Sequence, residues 1–305
     1  MDRVGVLDDI DYMIMDYMNN GIDRVKELCS KLGISRATLF RRIERIRENG
    51  FRRVYDICLD CLELGIAYVF LEGEGVYGLS SQSISIEGFT IDPLSIYLSF
   101  SPYRRIVLEY LIPLNHIDQF NDRIYELFSE KIVSDIFILE QVLIPYYVYS
   151  SGECRIPGIN TITSYRRESD IYDYILAHAF LKGYTRLAEI SRDYIIPSTT
   201  LEYHFREHVR KAIRGRYWVR WGSVNALIEI VLDNDNSPQG IVNDLYVMGS
   251  VSSMRRIMCK VFRKIQMLFI ECHVLDFSQL IKYFHELYVM NKVLDIRLFP
   301  VHSIW

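Results

Sequence analysis

ISRATLFRRIERIRENGF, residues 34–51, decides how this chain is read. Leu39, Ile43 and Ile46 recur at three- and four-residue spacing, the apolar stripe of one helix face. Ser35 stands ahead of them as an N-cap, and Gly50 ends the run. Polar donors gather on the opposite side. Arg41 lies nearly across from Leu39 and Ile43, Thr38 and Arg45 flank it, and Ala37 is small enough for close approach. Arg36 and Arg42 lie on the edges, where they suit phosphates better than bases. From Arg36 to Arg53 there are seven arginines against two acids, Glu44 and Glu48. A helix with one oily flank and one guanidinium face is what a major-groove reader requires.

Working outward, residues 7–53 read as three helices. Leu7, Ile10, Ile14, Tyr17 and Met18 form the stripe of the first, which Asn19, Asn20 and Gly21 stop. Val25, Leu28, Cys29 and Leu32 belong to the second, and Gly33 makes the tight turn into the reader helix. The chain then becomes extended through Arg52 and Arg53. Strands are predicted over 66–71, 94–100, 105–112 and 136–144, with an amphipathic helix on Ile117, Phe120, Ile124, Leu127 and Phe128. A split βαβ plan asks for another helix in the Gly- and Ser-rich stretch 73–88, where the sequence supports one poorly.

The pattern returns about 160 residues later, a period that means tandem domains rather than short solenoid repeats. Residues 168–213 begin ESDIYDYILAHAF and contain IPSTTLEYHFREHV; Asp170 matches Asp9, Glu189 matches Glu27 and Leu201 matches Leu39. Ser198, Thr199, Thr200, Tyr203 and His204 take the reading positions, and Arg214, Arg216 and Arg220 sit on a wing strand with Tyr217, Trp218 and Val219. Glu202 and Glu207 would repel phosphate, so DNA contact is less secure in this half. Strands follow over 224–232, 255–261, 265–272 and 293–299, with helices opened by Ser237-Pro238 and by Asp276. The expected architecture is α+β: a winged helix-turn-helix at 1–56, a ferredoxin-like domain at 57–149, a linker at 150–167, then a second winged helix-turn-helix at 168–221 and a second ferredoxin-like domain at 222–305.

Composition narrows the function. The 305 residues are 50% hydrophobic, enough for more than one core, and the net charge of −4 excludes a general polycation. Six cysteines (29, 58, 61, 154, 259 and 272) without a leader segment fit a reducing cytoplasm. Cys58 and Cys61 form a CxxC without a second pair, so buried thiols are expected rather than a zinc site. His204 and His208 are spaced to share a metal. His208, however, takes the place of core residue Ile46, which favours a hydrogen-bonded, half-buried histidine; no metal and no cofactor are expected. No uncharged apolar run reaches the roughly 18 residues of a membrane helix.

Residues 34–51 resemble the reader helix of the leucine-responsive regulators, the Lrp/AsnC family of archaea and bacteria, and residues 196–209 resemble it more loosely. The resemblance implies a transcription regulator whose effector-type sheets pair, either between chains as a homo-oligomer or within one chain as a pseudo-dimer. It departs from the family between the second and third strands. There SFSPYRRIV (99–107) and CKVFRKIQM (259–267) lack the glycine-centred turn that takes an amino acid, so no such effector is implied.

The leading expectation is therefore a cytoplasmic, chromosome-associated regulator, not an enzyme, that binds double-stranded DNA sequence-specifically. Its contact residues are Arg36, Ala37, Thr38, Arg41, Arg42, Arg45, Arg52 and Arg53, with Ser198, Thr199, Thr200, Tyr203, His204, Arg214, Arg216 and Arg220. The rival is an enzyme. Siroheme decarboxylases are similar in architecture and work on a tetrapyrrole; they require Arg and His around the sheet cavity, for which Tyr103, Arg104, Arg105 and His116, with Arg263 and His273, are the available residues. The aromatic tract associated with that family is not evident. A third reading is a scaffold whose helix-turn-helix units bind protein; the basic reading faces argue against it.

Overall fold

The computed structural model describes residues 7–73, 83–86, 89–99, 105–128, 132–139, 141–156, 165–220, 224–233, 238–248, 251–262 and 265–304. It begins with α1 (Asp9–Asn19), α2 (Val25–Leu32), α3 (Arg36–Glu48) and β1 (Phe51–Ile57). Asp8 caps α1 by accepting the Ile10 and Asp11 amides, while the Asp11 carboxylate accepts the Asp8 N–H in return. Gly33 turns the chain at φ +63°, and Ser35 Oγ accepts the Thr38 amide at 3.1 Å, as the sequence predicts. Ile14, Met15, Leu28, Leu39 and Ile46 pack into one small core with Phe51 and, from far along the chain, Trp218.

Next come β2 (Leu64–Glu72), β3 (Ile84–Ile86), β4 (Phe89–Ile91), β5 (Pro93–Ser99), β6 (Arg105–Pro113), α4 (Ile117–Phe128), β7 (Val133–Leu139), β8 (Gln141–Leu143), β9 (Tyr146–Val148) and β10 (Glu153–Arg155). A second set of three helices follows, α5 (Ile171–Leu181), α6 (Leu187–Asp193) and α7 (Ser198–Glu207), then β11 (Ile213–Arg220). The chain ends with β12 (Ala226–Asp233), α8 (Pro238–Val247), β13 (Val251–Phe262), β14 (Ile265–Val274), α9 (Phe277–Val289) and β15 (Asp295–Ile304). The fold is mixed α+β. The β12-α8-β13-β14-α9-β15 order is a split βαβ unit. At the corresponding place in the first half, the described residues form the β3–β4 hairpin instead of a helix. Ile84, Ile86, Thr90 and Ile91 are β-branched, which suits extended chain. Residues 74–82 and 87–88 of that stretch lie outside the described residues.

The large sheet runs β7-β2-β6-β5-β15-β12-β14-β13-β8. Its two ends, β7 and β8, are one residue apart in the chain, so the sheet closes on itself like a barrel. Both seams join the halves. Val301 of β15 pairs with Ser99 of β5, and Ile257 of β13 pairs with Leu143 of β8. The paired sheets are thus covered within one chain. Alternation sends Tyr68, Phe70, Tyr97, Met258 and Phe269 into a shared interior. On the outer faces, Tyr110 packs edge-on against Phe120 of α4, while Ile228, Ile230 and Ile270 pack with Leu245 of α8 and Phe284 of α9.

A second junction joins the three-helix units. β1 and β11 form an antiparallel ribbon from Phe51↔Arg220 to Ile57↔Ile213. Cys58 and Cys61, expected as thiols, are instead joined as a disulfide across the short turn at Asp60–Leu62. Among the described residues no helix is long and apolar enough to cross a membrane.

Candidate functional site

The predicted contact residues separate into two groups. Arg36, Ala37, Arg41, Arg52, Ser198, Thr199, Tyr203 and Arg220 are exposed, and Thr38 and Thr200 are half-buried. The other positions are engaged inside the molecule. Arg42 Nη1 donates to both oxygens of Asp8 at 2.7 and 2.9 Å and to Asp11 at 3.0 Å. Arg45 Nη2 donates to Asp8 at 2.7 Å and also reaches Asp11, which is fully buried. The Arg42 hydrogen bond holds the Asp8 carboxyl well below the usual carboxylate range. His204 meets the Asp173 carboxylate at 3.2 Å rather than pointing outward. The predicted face is therefore partly dismantled: Arg41 stays exposed, while Arg42 and Arg45 beside it neutralise carboxylates at the start of α1. The sequence reading missed these carboxylate partners because it followed the helix and not what faces it.

The remaining basic residues converge elsewhere. β1 and β11 place Arg53, Tyr55, Arg216 and Trp218 on one side of the ribbon, because Arg53 lies opposite Trp218 and Tyr55 opposite Arg216. Arg216 stacks over the Tyr55 ring, 4.7 Å from its centroid. Arg53 is close enough to Arg216 that burial first, and the Arg216 charge second, lower its pKa; Asp23 pairs with it in partial compensation. The Nε–H groups of both Arg53 and Arg216 are buried without a hydrogen-bond partner. Arg42, Arg45 and Arg214 share that feature, so it is the close approach of two guanidiniums, with Asp23 pairing Arg53 alone, that favours an anion here.

That place is the floor of a cleft of about 740 Å³ between the two three-helix units. Phe40, Phe51 and Trp218 supply its aromatic wall, and Arg47, Arg52 and Arg186 its rim, with Glu44 and Glu189 the acids among its lining. The Phe40 ring is 47% exposed, with the Arg36 guanidinium 5.5 Å from its centroid. Its volume falls within the range of ordinary small-molecule sites. Arg214, by contrast, is taken up by Asp56 at 2.8 Å.

A second polar cluster lies in the barrel interior. Tyr68 and Tyr97 each donate to Glu271 Oε1 at 2.7 Å, and Tyr97 lies 3.4 Å from Glu109 Oε2. All four side chains are fully buried, so they join the halves and are closed to a large ligand. Of the residues named for the rival reading, His116 is half-buried beside Phe89 and His273 is half-buried on β14. Tyr103, Arg104 and Arg263 lie outside the described residues, and of Arg105 only the backbone is described.

No protein-family model matches the chain, and no curated protein matches it. The fold does match solved structures. The crystal structure of the siroheme decarboxylase NirDL aligns with a TM-score of 0.51 and 11% identity, covering 97% of this chain and 91% of that one. The structure of NirDL in complex with an iron-uroporphyrin III analogue aligns equally well. This corrects the leading expectation. The Lrp/AsnC-like regulator, its double-stranded DNA partner and its non-enzymatic character were inferred from an architecture that, over nearly the whole chain, is also that of an enzyme. The physical reason for the error is local: a helix-turn-helix pattern specifies three packed helices, not what their polar faces touch. Chromosome association likewise has no support.

Proposed function

We propose that this chain is an enzyme that removes carboxyl groups from a carboxylate-bearing tetrapyrrole. The observation that carries the reading is the close approach of Arg53 and Arg216 on the floor of an aromatic-walled cleft. The whole-length likeness to NirDL supports the substrate class and reaction. A uroporphyrin-type macrocycle is flat, aromatic and ringed by carboxylates. Phe40 and Phe51 offer it a stacking surface, Arg53 and Arg216 a recessed carboxylate clamp, and Arg47, Arg52 and Arg186 outer contacts. The reaction breaks one C–CO₂ bond, releases CO₂, and returns a proton to the carbon left behind. In this reading the arginines hold the carboxylates that do not react and so fix the one that does.

We also read the chain as two copies of one plan, a winged helix-turn-helix followed by a ferredoxin-like domain, with boundaries at 1–56, 57–149, 168–221 and 222–305. The helix caps refine the alignment behind it. Asp8 caps α1 as Asp170 caps α5, so Asp8, not Asp9, is the counterpart of Asp170. On this reading the closed sheet is the family's subunit pairing carried out inside one polypeptide.

Titration with iron-uroporphyrin, followed by visible absorbance, tests the ligand class. Wild type is expected to saturate and to yield CO₂, and an Arg53→Gln/Arg216→Gln variant to bind about tenfold or more weakly. Absence of any spectral change with wild type overturns the substrate class. Unchanged affinity in the folded double variant overturns the site. A duplex-DNA mobility assay run alongside is expected to show no sequence preference.

A further inference from the structure

In the first half, Arg42 and Arg45 bring two obligatory positive charges to the carboxylates of Asp8 and Asp11. At the same place in the second half, α5 presents Asp170 and Asp173, and α7 and its C-cap present His204 and His208. The two carboxylates persist, while Arg42 has given way to His204 and a second imidazole, His208, stands where the first half has the core residue Ile46. Arginine is always charged, whereas histidine is not, and its neutral ring is the commonest protein ligand for a metal.

The geometry points to a transition-metal site, and we propose that Asp170, Asp173, His204 and His208 bind one divalent cation of the zinc class. Ligand-capable atoms of all four residues lie within 4.8 Å of one another. Both imidazoles aim the same atom at the same point: His204 Nδ1 and His208 Nδ1 lie 3.2 and 3.0 Å from Asp173 Oδ1. His204 Nδ1 is also 3.3 Å from Asp170 Oδ2. Ligands about 2.0–2.2 Å from a tetrahedral zinc sit roughly 3.3–3.6 Å apart, so these three edges lie within a few tenths of an ångström of tetrahedral spacing and the remaining ones within 4.8 Å.

The carboxylates are prepared for such a role. Asp170 uses Oδ1 to cap α5, accepting the Tyr172 and Asp173 amides at 2.9 and 3.0 Å, which leaves Oδ2 turned toward His204. Asp173 is fully buried, and its Oδ2 has no hydrogen-bond partner. The nearest cation to that oxygen is Arg167, whose Nε is 3.8 Å away and whose side chain is 41% exposed, too distant for a hydrogen bond. A fully buried carboxylate with one oxygen shared by two imidazoles and the other left without a partner is the second observation that favours a metal over a purely hydrogen-bonded cluster. Tyr172 and Tyr203 pack against the imidazoles and shield the site. Two nitrogens and two carboxylate oxygens favour zinc, cobalt or iron over calcium or magnesium, which take oxygen ligands. The bound ion would pin the start of α5 to the end of α7, as the arginines pin α1 to α3.

The test uses the full chain, freed of metal by chelator dialysis and titrated with Zn²⁺ by calorimetry and with Co²⁺ by visible absorbance. One Zn²⁺ per chain is expected, together with the intense Co²⁺ bands of a four-coordinate site and a rise in Tm on adding Zn²⁺. His204→Gln and Asp170→Asn, both at partly exposed positions, should each weaken Zn²⁺ about a hundredfold and abolish the Tm response. His208→Gln should do the same; should it fail to fold, the two milder variants carry the test. No stoichiometric Zn²⁺ on wild type overturns the proposal, as does an affinity that His204→Gln leaves unchanged. The result is independent of the tetrapyrrole reading, whose test rests on Arg53 and Arg216.

Discussion

Asp56 and Arg214 offer the sharpest test of how the two halves are held together. Asp56 lies on β1 and Arg214 on β11, so their 2.8 Å ion pair crosses the ribbon between the three-helix units. Asp56 is fully buried and the Arg214 side chain is 9% exposed. Burial pushes the Asp56 carboxyl up to about 6, and the Arg214 charge and hydrogen bond only partly counter that. Asp56 Oδ2 has no hydrogen-bond partner. Such a pair is costly to break yet adds little net stability. Asp56→Ala strands a buried guanidinium and should cost about 3–5 kcal/mol at pH 7.5, where the carboxyl is ionised. If the 305 residues unfold as one unit, the unfolding entropy is about 0.6 kcal/mol/K, so the fall in Tm is roughly 5–8 °C. Asp56→Leu/Arg214→Met removes both charges and should return to within about 2 °C of wild type. Differential scanning calorimetry on wild type and the two variants reads this directly. A single variant that loses less than about 1 kcal/mol would refute the reasoning, as would a double variant at least as unstable as Asp56→Ala.

Burial, then the Lys182 charge, push the His178 imidazole down to about 4, below its ordinary value near 6.5. A base with a lowered native pKa stabilises the fold above pH 6.5 and loses that contribution as pH falls toward 4, about 3 kcal/mol in all; His178→Gln should flatten this part of the Tm–pH curve, and identical curves would contradict the assignment. Gly65→Ala should destabilise by about 1–3 kcal/mol in urea unfolding, because the added Cβ would lie 2.7 Å from Leu114 Cδ2 and 3.2 Å from the Leu139 carbonyl, a sheet atom that cannot move aside. Tyr68→Phe removes a 2.7 Å hydrogen bond to buried Glu271 and should cost about 1–3 kcal/mol by the same measurement, with no loss expected if the barrel interior were open to water.

The sequence by itself determined the local elements. Period-3.6 stripes fixed α1, α3 and α9, because burying one face is a local demand that each segment states in its own spacing; the alternation through Leu94, Ile96 and Leu98 marked β5 as a strand but not its buried face, since Tyr97 is fully buried and Ile96 and Leu98 are half-buried. Gly33, Ser35 and Asp276 marked their turns and caps for the same reason. Tertiary structure alone decided where the charges went. Asp8 and Arg42 are more than thirty residues apart, and nothing in the spacing of either says that one will neutralise the other. Arg53 and Arg216 read as parts of two separate basic runs; only the β1–β11 pairing makes them neighbours with unmet donors. The same holds for Asp173, His204 and His208, which the sequence presents as a cap region and a helix face and the fold presents as one shell. Charge recognition acts through space over a few ångströms, so its partners are set by packing between elements, which sequence periodicity does not encode.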